Sequence, residues 1–236
     1  MRKIIYSLFI CVSITSCDTL ATVAKEVLTI PTSEEAAGGL RDALKQGFSK
    51  GADILSVKGA FANNNLIKIL LPAEAQTVAN KLTDLGMGSE VNSVIAKLNE
   101  GAENAVGTAK PIFISAITGM SFQDAMGILT GGKSSATNFL KNTTTSALTS
   151  SFEPKIQTAL DQVGVTKHWG DLVNTYNLIP LVKKMNPDLK GHVTSKALGT
   201  LFTKVEDEEN NIRSNPNLRG TALMKKAFAY ADSQKK

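Results

Sequence analysis

The chain has 236 residues, 42% of them hydrophobic and 20% charged, and its 26 basic and 21 acidic side chains leave a formal net charge of +5. Without Arg2 and Lys3, which precede the cleavage expected before Cys17, 24 basic against 21 acidic side chains leave +3, a balance that argues for neither a nucleic-acid binder nor a polybasic membrane patch. The apolar share is enough for one good core without staples, so a single domain is the simplest organisation.

Residues 1–16 have the layout of a signal peptide: Arg2 and Lys3, an apolar run, then small residues before Cys17. The run is too short to cross a bilayer, which takes about 20 residues. Small residues directly before a Cys resemble the lipobox of bacterial lipoproteins, so Cys17 is expected to carry the lipid that holds an exported protein in the cell envelope. An ordinary secretory signal is the alternative and would leave Cys17 a free thiol. Cleavage before Cys17 removes Cys11, so no disulfide can form within the chain. Residues 17–32 read as a tether and residues 33–232 as the folded domain.

Within that domain the spacing predicts helices almost throughout. Glu34 and Glu35 follow Ser33 where a helix start favours acids, and apolar residues continue at helical spacing to Leu55. Gly38, Gly39, Gly47 and Gly51 in that stretch imply close helix contact or a break near Gly51. Residues 66–71 are the one strand-like run; with no second run to pair, they read as an extended segment across a helical core. Pro72 opens the next helix, which stops at Gly86, Met87 and Gly88.

Ser89 is expected to cap a central helix whose stripe is Val91, Val94, Ile95, Leu98, Ala102, Ala105, Val106 and Ala109. Pro111 kinks that helix or starts its sequel. Ser121 and Asp124 have capping-box spacing for a short helix that ends at Gly131 and Gly132. Further helices are expected from Ser134 or Ser135, from Pro154, from Thr166, from Asn186 and Pro187, and from Thr221. The fold class is therefore all-α, a single bundle of about eight or nine helices with one extended segment near 66–71.

Several stretches together resemble a family of bacterial envelope proteins known only as a domain of unknown function, all-helical and often lipid-anchored. They include Gly39, Leu40, Ala43, Leu44 and Gly47; Ile67, Ile69, Leu71 and Pro72; and Asn99, Ala102, Glu103, Ala105 and Val106. Ala109, Pro111, Ile112 and Phe113 follow, then Asp124, Ala125, Ile128, Leu129 and Gly131, and Ala136 with Thr137. The last are Ala197, Leu198, Leu201, Phe202, Glu208, Glu209, Ile212 and Arg213. The resemblance runs from about residue 34 to 230. It implies the fold and the envelope location, and it brings no catalytic residues.

Residues 127–134 fit G-x-x-x-x-G-K-[ST] letter for letter. A phosphate-binding loop must follow a buried strand, and this run follows a capped helix, so it reads as a helix stop followed by a helix start, with no nucleotide bound. Asn99 and Glu103, one helical turn apart at the edge of the central stripe, are candidates for a polar or ligand site with Asp124 and Arg213. Two carboxylates in a partly buried setting can divide acid and base work, which would make Glu103 and Asp124 a hydrolase pair. The bland reading gives Asp124 to its capping box and Glu103 to a structural partner.

The acids at 206–209 fan around a helix rather than converge on calcium, so they read as a solvated face with Glu209 and Arg213 paired at i,i+4. His168 and His192 lack zinc-site spacing and any nucleophile context, so neither a metal nor a cofactor is expected. Trp169 and Tyr176 read as core or rim. The function these features favour is that of a non-enzymatic, lipid-anchored envelope protein that binds a protein partner or serves a structural role. The alternative is a carrier of a small apolar ligand or lipid, which needs a hollow core among Val94, Leu98, Phe113, Ile117 and Met120.

Overall fold

The computed structural model describes residues 30–162 and 188–234, with positions 164, 169, 174, 177, 178, 180, 181, 184 and 186 between them. Residues 1–29, Cys17 among them, lie outside the described residues, as do His168, Tyr176 and most of the helix expected from Thr166. Among the described residues 78% are helical and none is in a strand, as an all-α bundle requires.

Helix α1 spans Ser33–Leu55. Its cap is Thr32 rather than Ser33: the Thr32 hydroxyl accepts from the Glu35 amide, and the Glu35 carboxylate accepts from the Thr32 amide. No break occurs at Gly51, and the alternative explanation of the glycines holds. A Cβ on Gly39 would stand 2.6 Å from the Cβ of Ala227 and would overlap the Leu223 backbone, so the C-terminal helix can lie directly on α1.

Pro72 precedes α2 (Ala73–Leu82), and a π-type turn at Thr83–Met87 leads into α3 (Gly88–Val106). Gly86 takes φ 89° in that turn, the left-handed geometry that stops α2 where the sequence implied. Ser89 does not cap α3. The helix begins one residue earlier, and the Ser89 hydroxyl bonds its neighbour Glu90 instead.

Helix α4 (Ala109–Thr118) takes Pro111 in its first turn, so that proline starts a sequel after a turn at Gly107 and Thr108. Helix α5 (Phe122–Thr130) has the expected capping box between Ser121 and Asp124. Helix α6 (Ser135–Asp161) is longer than the sequence implied. Pro154 lies inside it, although proline removes a helix hydrogen bond and crowds the preceding turn. Leu148, Phe152, Ile156, Ala159 and Leu160 are buried along one side across the proline, and their packing keeps the axis continuous. Helix α7 (Leu189–Ser214) is capped by Asp188, which replaces Asn186 and Pro187 as its start, and α8 (Ala222–Gln234) is capped by Thr221.

With α3 and α4 taken as one bent helix, seven helices are described. That is slightly below the expected eight or nine: the helices read on either side of Pro154 are one, and most of the helix expected from Thr166 lies outside the described residues. The bundle is built by α3 on α6, α6 on α7 and α7 on α1, with α8 along α1 and with α4 and α5 against α1. Phe113 of α4 joins the layers: its ring stacks on Phe48 at 4.1 Å between centroids and meets Phe202 at 5.9 Å. Among the described residues no single helix is long and apolar enough to cross a membrane.

Residues 66–71 form no strand. Leu66 and Ile67 belong to a turn, and the chain from Lys68 to Pro72 runs without helix or turn beside α3 and α7. Ile69 is buried, whereas Leu66 is 94% exposed.

Candidate functional site

Asn99 and Glu103 sit on the buried side of α3, at 0% and 4% exposure. The Glu103 carboxylate accepts hydrogen bonds from the backbone amides of Gly59 (2.9 Å), Phe61 (3.0 Å) and Ala62 (3.4 Å). Gly59 takes φ 85°, which lets the turn after α1 aim its amides inward at one point. A buried carboxylate is costly without such donors, so the acid and the turn require each other. One turn earlier, the Asn99 side chain accepts from the Ile69 amide (2.8 Å) and donates to the Ile69 carbonyl (2.9 Å) and the Ile95 carbonyl (2.7 Å). Glu103 thus fixes the turn after α1, and Asn99 fixes the segment before α2.

Asp124 is elsewhere, and it is exposed. Its carboxylate is occupied by Ser121, whose amide lies at 3.2 Å, so it is engaged in the capping box. Arg213 meets neither Glu103 nor Asp124. It pairs with Glu209 at 2.8 Å, both side chains buried, and its guanidinium donates to the carbonyls of Ile128, Leu129 and Gly131 at the end of α5. Glu209 in turn accepts from the amides of Ala136 and Thr137 and from the Thr137 hydroxyl at the start of α6.

The P-loop-like run 127–134 is therefore a helix stop and a helix start held by one ion pair of α7. The signs follow the helix dipoles, with the cation at a C-terminus and the anion at an N-terminus. The Ser134 hydroxyl also reaches Glu206, which adds a second tie to the same junction.

The acidic run at 206–209 departs from its expected solvated face in one residue. Asp207 is exposed and pairs with Lys204, and Glu208 pairs with Lys50, but Glu209 is buried at 6% exposure. Its spacing carried the signal: Glu209 lies four residues after Val205 and three before Ile212, both core residues, so it falls on the apolar stripe. Arg219 carries no such signal because it follows the helix. It donates to the carbonyls of Ile212 and Arg213 and pairs with Asp232, closing the end of α7. The Phe228 ring lies under both guanidiniums, at 5.9 Å from Arg213 and 5.2 Å from Arg219.

Asn99 and Glu103 share the buried side of α3, Asp124 and Arg213 lie apart from them, and each of the four has its own partners; no described group of three or more His, Cys, Asp or Glu residues could hold a metal ion. Two grooves are open on the surface of the described residues. A groove of about 650 Å³ runs between α4 and α6 and is lined by Ile112, Ala116, Met120, Phe139 and Ala147. A larger one of about 960 Å³ separates residues 66–71 from α7 and is lined there by His192, Lys196, Gly199 and Thr203. His192 is half-buried, and its Nε2 lies 3.0 Å from the Leu70 carbonyl oxygen.

Comparison with curated proteins and with solved structures gives no significant match. A family model does match, over residues 30–229, which takes in the described helices from α1 to the greater part of α8. The chain belongs to the family described as protein of unknown function (DUF4197).

Proposed function

We propose that this protein is a non-enzymatic component of the bacterial cell envelope, held to a membrane by a lipid on Cys17, that works by binding a protein partner. One observation carries the non-enzymatic half: Glu103, Glu209, Arg213 and Arg219, the buried charged side chains among the described residues, are all taken up by backbone groups at turns and helix ends. Catalytic acids and bases need a cleft and a proton to exchange, and these groups are instead held by backbone partners, with Glu209 and Arg213 also paired to each other. Cys17, after its short apolar leader, supports the anchor.

The reading as a carrier of an apolar ligand draws less support. Leu98, Phe113 and Ile117 have no exposed surface, and the stacked Phe48 and Phe113 rings occupy the place where a hollow would be needed.

Metabolic labelling with an alkynyl fatty acid tests the anchor. The wild-type chain is expected to take up label and to sediment with membranes, and Cys17→Ser is expected to lose both. A soluble, unlabelled wild-type protein would remove the anchor from the proposal.

A further inference from the structure

Residues 68–70 are tied more fully on one edge than on the other. Asn99 exchanges hydrogen bonds with both the amide and the carbonyl of Ile69, the way one residue of a β-ladder engages its neighbour, so Ile69 has extended backbone with both groups on the α3 side. Successive peptide groups of an extended chain alternate in direction, which turns the Leu70 amide and the Lys68 carbonyl to the opposite edge. His192 of α7 holds the Leu70 carbonyl and marks that edge as the one facing the groove. The Lys68 amide is used by Asn64, but the Leu70 amide and the Lys68 carbonyl have no hydrogen-bond partner among the described residues.

We propose that the groove between residues 66–71 and α7 receives an extended acidic peptide segment of a partner protein, which adds to this edge as a parallel strand. An amide at one position and a carbonyl two residues earlier match the two groups of a single peptide residue in a parallel ladder. An antiparallel residue opposite Leu70 would instead need its carbonyl, which His192 occupies. Exposed strand edges recruit extended chains in this way, main-chain bonds giving affinity and side chains giving selectivity. The groove volume of about 960 Å³ suits several residues of such a chain.

Its charge selects the sign of the guest. Lys68 and Lys196 line it, both exposed and without an ion-pair partner among the described residues, whereas the acid at its far end, Asp207, is paired with Lys204. Leu66 and Leu70 add exposed apolar contact.

The inference rests on the partner-binding part of the proposed function and is independent of the anchor, so its test is made in detergent solution without a membrane. Full-length protein is titrated into fluorescein-labelled octapeptides of alternating Asp and Val, or of alternating Lys and Val, and anisotropy is read. Gly199 supplies the critical variant. A Cβ there meets nothing within 4 Å, so Gly199→Leu adds side-chain bulk at this wall of the groove without a clash at Cβ, and loss of a helix glycine favours the fold.

Saturable binding of the acidic peptide alone is expected, weakened roughly tenfold or more by Gly199→Leu at unchanged helical circular dichroism. Slowed hydrogen exchange at the Leu70 amide in the complex is expected with it. No binding by the wild-type protein, equal binding by Gly199→Leu, or unchanged exchange at Leu70 would each overturn the inference. A Leu70 amide already protected in the free protein would give the groove to the chain itself, and a dimer that Gly199→Leu dissociates would give it to a second copy. Either result overturns the partner peptide.

Discussion

Glu103 is the residue at which a functional and a structural reading differ most sharply. Three backbone amides converge on its carboxylate, and each would lose its acceptor if the acid were removed. Glu103→Gln turns one oxygen into an NH₂ group that faces donors. It is therefore expected to cost about 1–3 kcal/mol, read as a lowered urea midpoint at unchanged slope. A Gln variant as stable as wild type would show that the turn does not depend on the charge. Glu35 supplies a pH-dependent counterpart at the surface. Its hydrogen bond to Lys226, helped by the Thr32 amide, holds its carboxyl below the ordinary range. A depressed folded-state pKa means stability that is present above the unfolded carboxylate pKa and lost as pH falls through the lowered folded value. NMR titration of the Glu35 carboxyl should show the depression in the wild type, and Lys226→Met should return the titration toward the ordinary carboxylate value.

Helices α5, α6 and α7 are connected by their ends as much as by their faces. Four amides at the start and four carbonyls at the finish of any helix lack partners within it, and the junction at 131–134 buries such a finish beside such a start. Glu209 and Arg213, one turn apart on α7, satisfy both. Arg213→Ala leaves Glu209 buried without its cation and takes one donor from each of three carbonyls, so a loss of about 3–5 kcal/mol is expected in chemical denaturation. Arg213→Lys keeps the charge but cannot fork across the end of α5, and it is expected to recover only part of that loss. Full stability in Arg213→Lys would show that charge alone suffices. The pair is legible as an i,i+4 spacing, and Glu209 falls on the apolar stripe; which backbone groups the pair meets is not legible, because that depends on how α7 packs against the α5–α6 junction. The helix starts divide in the same way. Ser121 and Thr221 act as their sequence signals imply, but Ser89 loses its expected role because α3 begins a residue earlier. Pro154 signals a helix start by local chemistry and is overruled by the apolar residues packed on both sides of it.

At the scale of the molecule, the sequence by itself determined the fold class and most of the helix positions. Helical periodicity, capping residues and glycine stops are local signals, and all-helical architecture follows from their sum. It also determined that residues 127–134 are a helix stop followed by a helix start, since the helix before them is visible in the spacing. Only the tertiary structure decided what the polar candidates do. Asn99, Glu103, Asp124 and Arg213 could have shared a cleft, and the packing of α3 against the turn after α1, and of α7 against the α5–α6 junction, assigns each to different backbone partners. It also decided that one edge of residues 66–71 is held by Asn99 while the other faces a groove. The physical reason is the same in both cases. A side chain's partners are backbone groups from distant parts of the chain, and their directions are fixed only when the helices have packed.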